Sequence, residues 1–282
     1  FLGSGMAFGV IMGLPWLDVL LGGFFGLTAY GSEVLARRIP GTGYALEFLV
    51  AAASAFLAAI AAFLSPGIHA IALTICAIII YVPGFGLTIA PREIVLGDTL
   101  SGIIYFTNAF FVSIKLLFGA FAGFGIASTL FVLPAVEKAA GVPHLFTWIF
   151  APILPLCIAI QFGVSPRRLW LVGLGALLVW AGVQLGGLLG SWQGAFLGAV
   201  ILAVFSKLAA LRFKTTSLTV ILPVVMILVP GFAFVSFLYP LQTQGIIVGI
   251  EMGLQVFATI AAIIGGFFLG EFIVSAVTPQ KN

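Results

Sequence analysis

Charged side chains are what this sequence has least of. Asp, Glu, Lys and Arg make up 7% of its 282 residues, against about 25% in a soluble domain. Hydrophobic residues make up 62%, and the mean hydropathy is +1.31. Such a chain has too little polar surface to cover itself in water, which excludes a soluble protein. Histidine is nearly as scarce, at His69 and His144. Two isolated histidines exclude a His-Glu-x-x-His zinc site, and neither accompanies the Gly-x-Ser turn of a rhomboid-like serine–histidine pair. An aspartyl dyad needs two aspartates within membrane spans, whereas Asp18 and Asp98 fall near loops. No catalytic residue, metal ligand or cofactor is therefore expected. The two cysteines, Cys76 and Cys157, lie inside apolar runs and read as packing residues. No basic stretch precedes the first apolar run, so a cleavable signal peptide is not expected. The chain opens on Phe1-Leu2-Gly3 with no initiator methionine, and the expectation is that a soluble domain precedes it.

What the sequence has in abundance is long apolar runs, such as 48–64 and 103–131. Barrel strands need only about 9–11 residues of alternating character, so these runs predict an all-α membrane protein. Hydropathy and breakers predict ten spans, at about 1–14, 19–36, 44–64, 69–82, 103–132, 145–163, 169–189, 194–211, 218–229 and 246–277. With the N-terminus in the cytoplasm, Arg37, Arg38, Arg92, Arg167, Arg168, Arg212, Lys214 and Lys281 all fall on the cytoplasmic side, as the positive-inside rule requires. The net charge of +3 then belongs to cytoplasmic loops, and no nucleic-acid partner is expected. The five tryptophans, Trp16, Trp148, Trp170, Trp180 and Trp192, mostly fall at predicted span ends and read as an interfacial belt.

One phrase occurs twice. Val82-Pro83-Gly84-Phe85 reappears 147 positions later as Val229-Pro230-Gly231-Phe232, each time closing an apolar run. Proline lacks a backbone N–H, so a Pro-Gly pair frees carbonyl and amide groups that hydrocarbon does not satisfy. Broken helices of this kind mark binding sites in secondary transporters. At the same offset Gly119, Phe121 and Gly123 meet Gly266, Phe268 and Gly270. Each half carries five predicted spans, an odd number, so the second half must insert upside down relative to the first. The expected fold is two five-helix inverted-topology repeats, at 1–135 and 148–282, joined by a connector at 136–147.

The candidate site residues follow from these breaks. Positions 83–102 form the most polar stretch, with Thr88, Arg92, Glu93, Asp98 and Ser101. They read either as a substrate gate, with Arg92 meeting a carboxylate bidentately, or as a solvated loop in which Arg92 pairs with Glu93 or Asp98. Inside the spans, a charge costs at least about 2.5–3.5 kcal/mol on insertion scales and so tends to pair or to line a pathway. Asn108 and Lys115 share one helical face, as do Glu251 and Gln255, and Asn108 maps onto Gln255 in the repeat. The predicted substrate-binding set is Pro83, Gly84, Thr88, Arg92, Glu93, Asp98, Ser101, Asn108, Lys115, Pro230, Gly231 and Gln255, with Glu251 carrying a coupling proton. The alternative places Glu251 at the outer interface and hydrogen-bonds Lys115 to a neighbouring helix. Glu33 and Glu47 flank Arg37-Arg38 and read as interfacial ion pairs. A channel or lipid-handling protein shares these features, and flux that saturates and follows a proton gradient discriminates a carrier.

Positions 83–102 resemble the threonine/serine exporter (ThrE-type) family, whose signature reads approximately Pro-Gly-x-x-Leu-Thr-Asn-Ala-x-Arg-Asp-Leu-x-x-Gly-Asp-x-x-Ser-Gly. Pro83, Gly84, Leu87, Thr88, Ala90, Arg92, Gly97, Asp98, Ser101 and Gly102 match. Glu93 stands where Asp is usual, Ile89 replaces the Asn, and Pro91 is unusual. Pro166-Arg167-Arg168 and Val229-Pro230-Gly231 are similar to the family's smaller module. The resemblance implies a multi-pass inner-membrane protein that exports small amino acids, driven by protons, with a soluble region before the first span. Similar two-subunit relatives export dicarboxylates such as succinate. Either substrate carries a carboxylate suited to Arg92 or Lys115; a homo-oligomer is compatible with the sequence. The topology has a direct check. With Cys76 and Cys157 replaced by serine, Arg38→Cys and Arg168→Cys are expected to react with a membrane-impermeant maleimide in inside-out vesicles but not in intact cells. Labelling of the two from opposite faces would overturn the arrangement.

Overall fold

Proline and glycine set most of the helix ends. The computed structural model describes residues 1–39, 41–95, 97–132, 141–228 and 246–277. Helix α1, Leu2–Ile11, is followed by Gly13 at φ +70° and by Pro15, which caps α2, Trp16–Arg38. A 3-10 turn at Thr42–Ala45 leads into α3, Leu46–Leu64, which stops before Ser65-Pro66-Gly67. Helix α4, Ala70–Ile78, tightens into a 3-10 turn at Ile79–Tyr81. Val82 is then extended, at φ −63° and ψ 122°, because the following Pro83 disfavours helical backbone there. The chain resumes as α5, Gly84–Val95, and turns into α6, Thr99–Leu130. The second half contains α7, Thr147–Gln161; α8, Leu169–Gly187; α9, Ser191–Phe213; and α10, Leu218–Val224. A 3-10 turn at Val225–Ile227 follows α10, and α11 spans Ile246–Val277. Among the described residues there is no strand.

Each of the ten predicted spans contains a helix, but they are not all alike. Among the described residues, seven segments are long and apolar enough to cross a membrane. Leu2–Ile11, Ala70–Tyr81 and Leu218–Ile227 are shorter, rising about 15–20 Å against a hydrocarbon core of about 30 Å. The last two stop just before the two Pro-Gly pairs, which is where a broken helix ends. The loop backbone of the alternative reading of 83–102 is corrected: the stretch is helical from Gly84 to Val95, and helical again from Thr99. Pro230, Gly231, Glu137, Lys138 and Lys281 lie outside the described residues. Trp16, Trp148, Trp170 and Trp192 stand exposed in the first turn of their helices, whereas Trp180 is buried in α8.

The chain packs as two units. The first comprises Phe1–Pro83 and Phe110–Cys157. In it α2 packs against α1, α3 and α4 around Phe25, Val50, Leu73, Ile78 and Leu116, with alanines of α3 filling the close approaches. The second comprises Gly84–Ala109 and Ile158–Asn282. There α9 packs against α8 and α11, and α10 lies against α8 and α9. Residues 84–109 come from the first half of the sequence but pack in the second unit, with α5 against α11 and the Val225–Ile227 turn. Large apolar side chains stay exposed on both units, Phe111 and Phe257 among them, as lipid-facing surfaces require.

The 147-residue offset recurs in the helix bounds, and a similar glycine packing occurs in both units. Helix α11 starts and ends 147 positions after α6. A Cβ built on Gly119 would stand 2.9 Å from the Ala51 Cβ and closer still to the Phe48 carbonyl oxygen of α3. On Gly266 it would stand 2.7 Å from the Ala199 Cβ and 2.5 Å from the Phe196 oxygen of α9. Gly123 on Ala55 and Gly270 on Ala203 repeat the pattern one turn later. Each unit thus seats a long helix on a shorter one by backbone-to-backbone contact that only glycine permits. Gly119→Ala is expected to destabilise the protein by about 1–3 kcal/mol through overpacking, read as a lower thermal midpoint in detergent. Gly125, whose Cβ would meet nothing within 4 Å, is the control; an equal loss in Gly125→Ala would refute this packing.

Candidate functional site

The polar stretch folds into a tight corner inside the second unit. Gly97 adopts φ +94°, the left-handed conformation that ends helices and that glycine takes at no steric cost. The Asp98 N–H then donates to the Glu93 carbonyl, 2.9 Å, closing the last turn of α5 in a Schellman arrangement. Asp98 simultaneously caps α6: its Oδ1 accepts the Ser101 N–H at 3.2 Å and its Oδ2 the Ser101 hydroxyl at 2.8 Å. At the other end of α5, a Cβ on Gly86 would stand 2.9 Å from the Ala109 Cβ and 3.2 Å from the Tyr105 oxygen. Glycine therefore lets α5 fold back onto the start of α6. The result is an antiparallel helical hairpin whose free end is the Pro83-Gly84 break.

Most of the sequence-predicted site belongs to this unit. Gly84 is buried at the first turn of α5, Thr88 and Arg92 follow four positions apart along that helix, and Glu93 is half-buried. Asp98 and Ser101 hold the corner. Asn108 is exposed on α6, and Glu251 and Gln255 are exposed on α11, the helix that α5 packs against. Pro83 and Lys115 belong to the first unit. Lys115 Nζ lies 3.3 Å from Glu47 Oε2, so Glu47 pairs with the lysine of α6 and not with Arg37-Arg38. Pro230 and Gly231 lie outside the described residues.

The first unit holds polar contacts that the sequence pattern did not reveal. Asp18, 1% exposed, accepts from or shares a proton with His69 Nδ1 at 2.5 Å. Asp18 lies in the first turn of α2 and His69 at the N-cap of α4. At the far ends of the same two helices, the Tyr81 hydroxyl donates to Glu33 Oε2 at 2.5 Å, while Arg37 donates to Glu33 Oε1 at 2.6 Å. Helix α4 is therefore tied to α2 at both ends. A buried carboxylate needs such a partner. The only signal was a carboxylate beginning an apolar helix and a histidine after a Ser-Pro-Gly turn, 51 residues apart, and nothing in sequence periodicity links them. Among the described residues, no group of three His, Cys, Asp or Glu side chains is placed to hold a metal.

A family model described as "Putative threonine/serine exporter" matches residues 1–127, and one described as "Threonine/Serine exporter, ThrE" matches residues 147–273. The chain belongs to the threonine/serine exporter family. The family is one of membrane transporters, consistent with the seven apolar helices of spanning length. Comparison with curated proteins and with solved structures returns no match. The two family matches divide the exporter chain close to the expected connector, the first running from α1 into α6 and the second from α7 into α11. In this exporter, Gly97, Asp98 and Ser101 of the signature are the residues that build the α5–α6 corner. Asp98→Ala is accordingly expected to cost about 1 kcal/mol, whereas Asp98→Asn, which keeps a capping oxygen, keeps the thermal midpoint. Equal losses in both variants would show that the charge matters beyond the cap.

Proposed function

We propose that the chain is a secondary transporter of the inner membrane that exports threonine and serine, coupled to the proton gradient. Family membership carries the transporter reading. The observation that supports a site at the start of α5 is the interruption of the helix before it: Val82 is extended, and α5 begins at Gly84. The N-terminal end of a broken helix carries a partial positive charge and favours an anion. A substrate carboxylate is placed there, with Arg92 of α5 as its second partner and Thr88, Glu93 and Asn108 of the hairpin as polar company. Gln255 and Glu251 present the polar face of α11, the helix on which α5 packs, and Glu251 carries the coupling proton. Pro230 and Gly231 supply the matching break of the second half. Lys115, paired with Glu47, balances charge near the site or in the helix packing. In this reading the two halves, 1–135 and 148–282, are inverted repeats with both termini cytoplasmic, no cofactor takes part, and the bilayer and protons are the other partners.

Ile89 supports a second reading of the substrate. It stands at the Asn position of the family signature and is buried, 3% exposed, so position 89 offers no amide to an amino group. A dicarboxylate such as succinate presents no amino group and fits the same broken-helix end.

Inside-out vesicles containing the protein are expected to accumulate labelled threonine and serine saturably when a proton gradient is imposed. Accumulation of succinate alone would move the substrate to dicarboxylates. Linear, gradient-independent flux would identify a channel and end the carrier reading. Glu251→Gln is expected to lower gradient-driven accumulation at least tenfold while the protein still elutes as a folded particle. Full accumulation in that variant would remove Glu251 from the mechanism.

A further inference from the structure

The first unit contains an ionisable pair that the proposed site does not use. His69 Nδ1 lies 2.5 Å from Asp18 Oδ2, and the Asp18 side chain is 2% exposed while that of His69 is 26% exposed. The pair joins the N-terminal ends of α2 and α4, on the end of α2 opposite Arg37 and Arg38. With Arg37-Arg38 cytoplasmic, as the positive-inside rule requires, Asp18 and His69 face the outside. One side of the pair is sealed and the other reaches solvent through the imidazole.

The chemistry follows from the geometry. The hydrogen shared between Nδ1 and the carboxylate leaves Nε2 as the ring atom that accepts a proton from water. The tautomer is fixed by the partner, as in histidines held by a carboxylate. Uptake of one proton at Nε2 takes the pair from a net charge of −1 to an imidazolium–carboxylate pair of net charge zero. No other bond is made or broken. Imidazole is the side chain whose ordinary titration lies between pH 5 and 8, the range an outward-facing proton acceptor must work in.

Among the described residues, few titratable groups stand near this pair. Helix α1, packed against both α2 and α4, brings no ionisable side chain. On α2 the other ionisable groups, Tyr30, Glu33, Arg37 and Arg38, lie in its second half, and Glu47 on α3 and Tyr81 after α4 stand toward that same far end. The remaining titratable groups described near this end are the buried Cys76 thiol, two turns along α4 from His69, and His144, two residues before Phe146, whose ring packs edge-on against Trp16 at 5.1 Å. Helix α4 then runs from His69 to the turn that precedes the Pro83-Gly84 break, where Tyr81 ties it again to Glu33 of α2. A change of charge at His69 therefore acts on the helix that leads into the break.

We propose that Asp18 and His69 form the group that takes up the driving proton from the outer face, and that α4 passes its protonation state to the Pro83-Gly84 break. This rests on the exporter reading, and it adds a second protonatable site to Glu251, in the other unit.

The test uses the full chain reconstituted in liposomes, with threonine counterflow in the absence of a gradient and accumulation driven by an imposed gradient measured on the same preparation. In His69→Gln and in Asp18→Asn, the ratio of gradient-driven to counterflow flux is expected to fall at least tenfold. An unchanged ratio in both would overturn the proposal. A direct reading covers variants that fail to fold. The chain holds two histidines, so nitrogen-15 histidine labelling of the His144→Gln protein reports His69 alone. Its ring signal is expected to show proton gain at Nε2 as the medium is acidified. A His69 ring that keeps one protonation state throughout the acidification would sink the proposal even if threonine is transported. Absence of threonine and serine counterflow in the parent protein would instead sink the exporter reading, a separate result.

Discussion

Backbone hydrogen bonding inside hydrocarbon is the constraint on which this structure depends. A residue at membrane depth has no water to satisfy its N–H and C=O, so the chain must be helical almost everywhere it crosses. This chain is, with long helices in both halves and no strand among the described residues. Where it departs from the rule, proline and glycine are at the departure: α4 ends in a 3-10 turn, Val82 is extended before Pro83, and α5 starts at Gly84. An opening of this kind costs free energy in lipid, and it is retained where the surrounding protein or a polar ligand meets the freed groups.

Around that opening the chain uses small residues for cohesion and polar residues sparingly. The hydrophobic effect does not bring helices together in lipid, so close packing must do it. Gly119 and Gly123 seat α6 on α3, and Gly266 and Gly270 seat α11 on α9 in the same way. The same pattern in two separate units is strong physical grounds for a duplicated architecture. Several charges of the first unit are matched by partners: Lys115 with Glu47, Glu33 with Arg37 and Tyr81, Asp18 with His69. Each match spares a buried charge the cost of standing alone.

The family signature divides between two kinds of work. Gly97, Asp98 and Ser101 have a local structural account, because a left-handed glycine ends α5 and an aspartate caps α6. Pro83 and Gly84 stand at the break, and Thr88 and Arg92 lie along the helix that leads away from it. A motif that reads as one functional string is thus in part a helix corner.

Much of this was legible in the letters. Composition alone dictated a membrane protein, because 7% charge leaves no surface for water. Hydropathy located the ten helical segments, since apolar length is a local property, and the first Val-Pro-Gly-Phe phrase located the interruption between α4 and α5. Local patterns did not show that residues 86–95 are helical, because proline and charge there read as loop chemistry. They also did not show that residues 84–109 pack with the second unit, or that Asp18 meets His69 and Glu47 meets Lys115. Those pairings join residues 51 and 68 positions apart. They exist because α2 with α4, and α3 with α6, run side by side in the same direction and bring distant residues to one level, which is set by tertiary packing and by no periodicity within a helix.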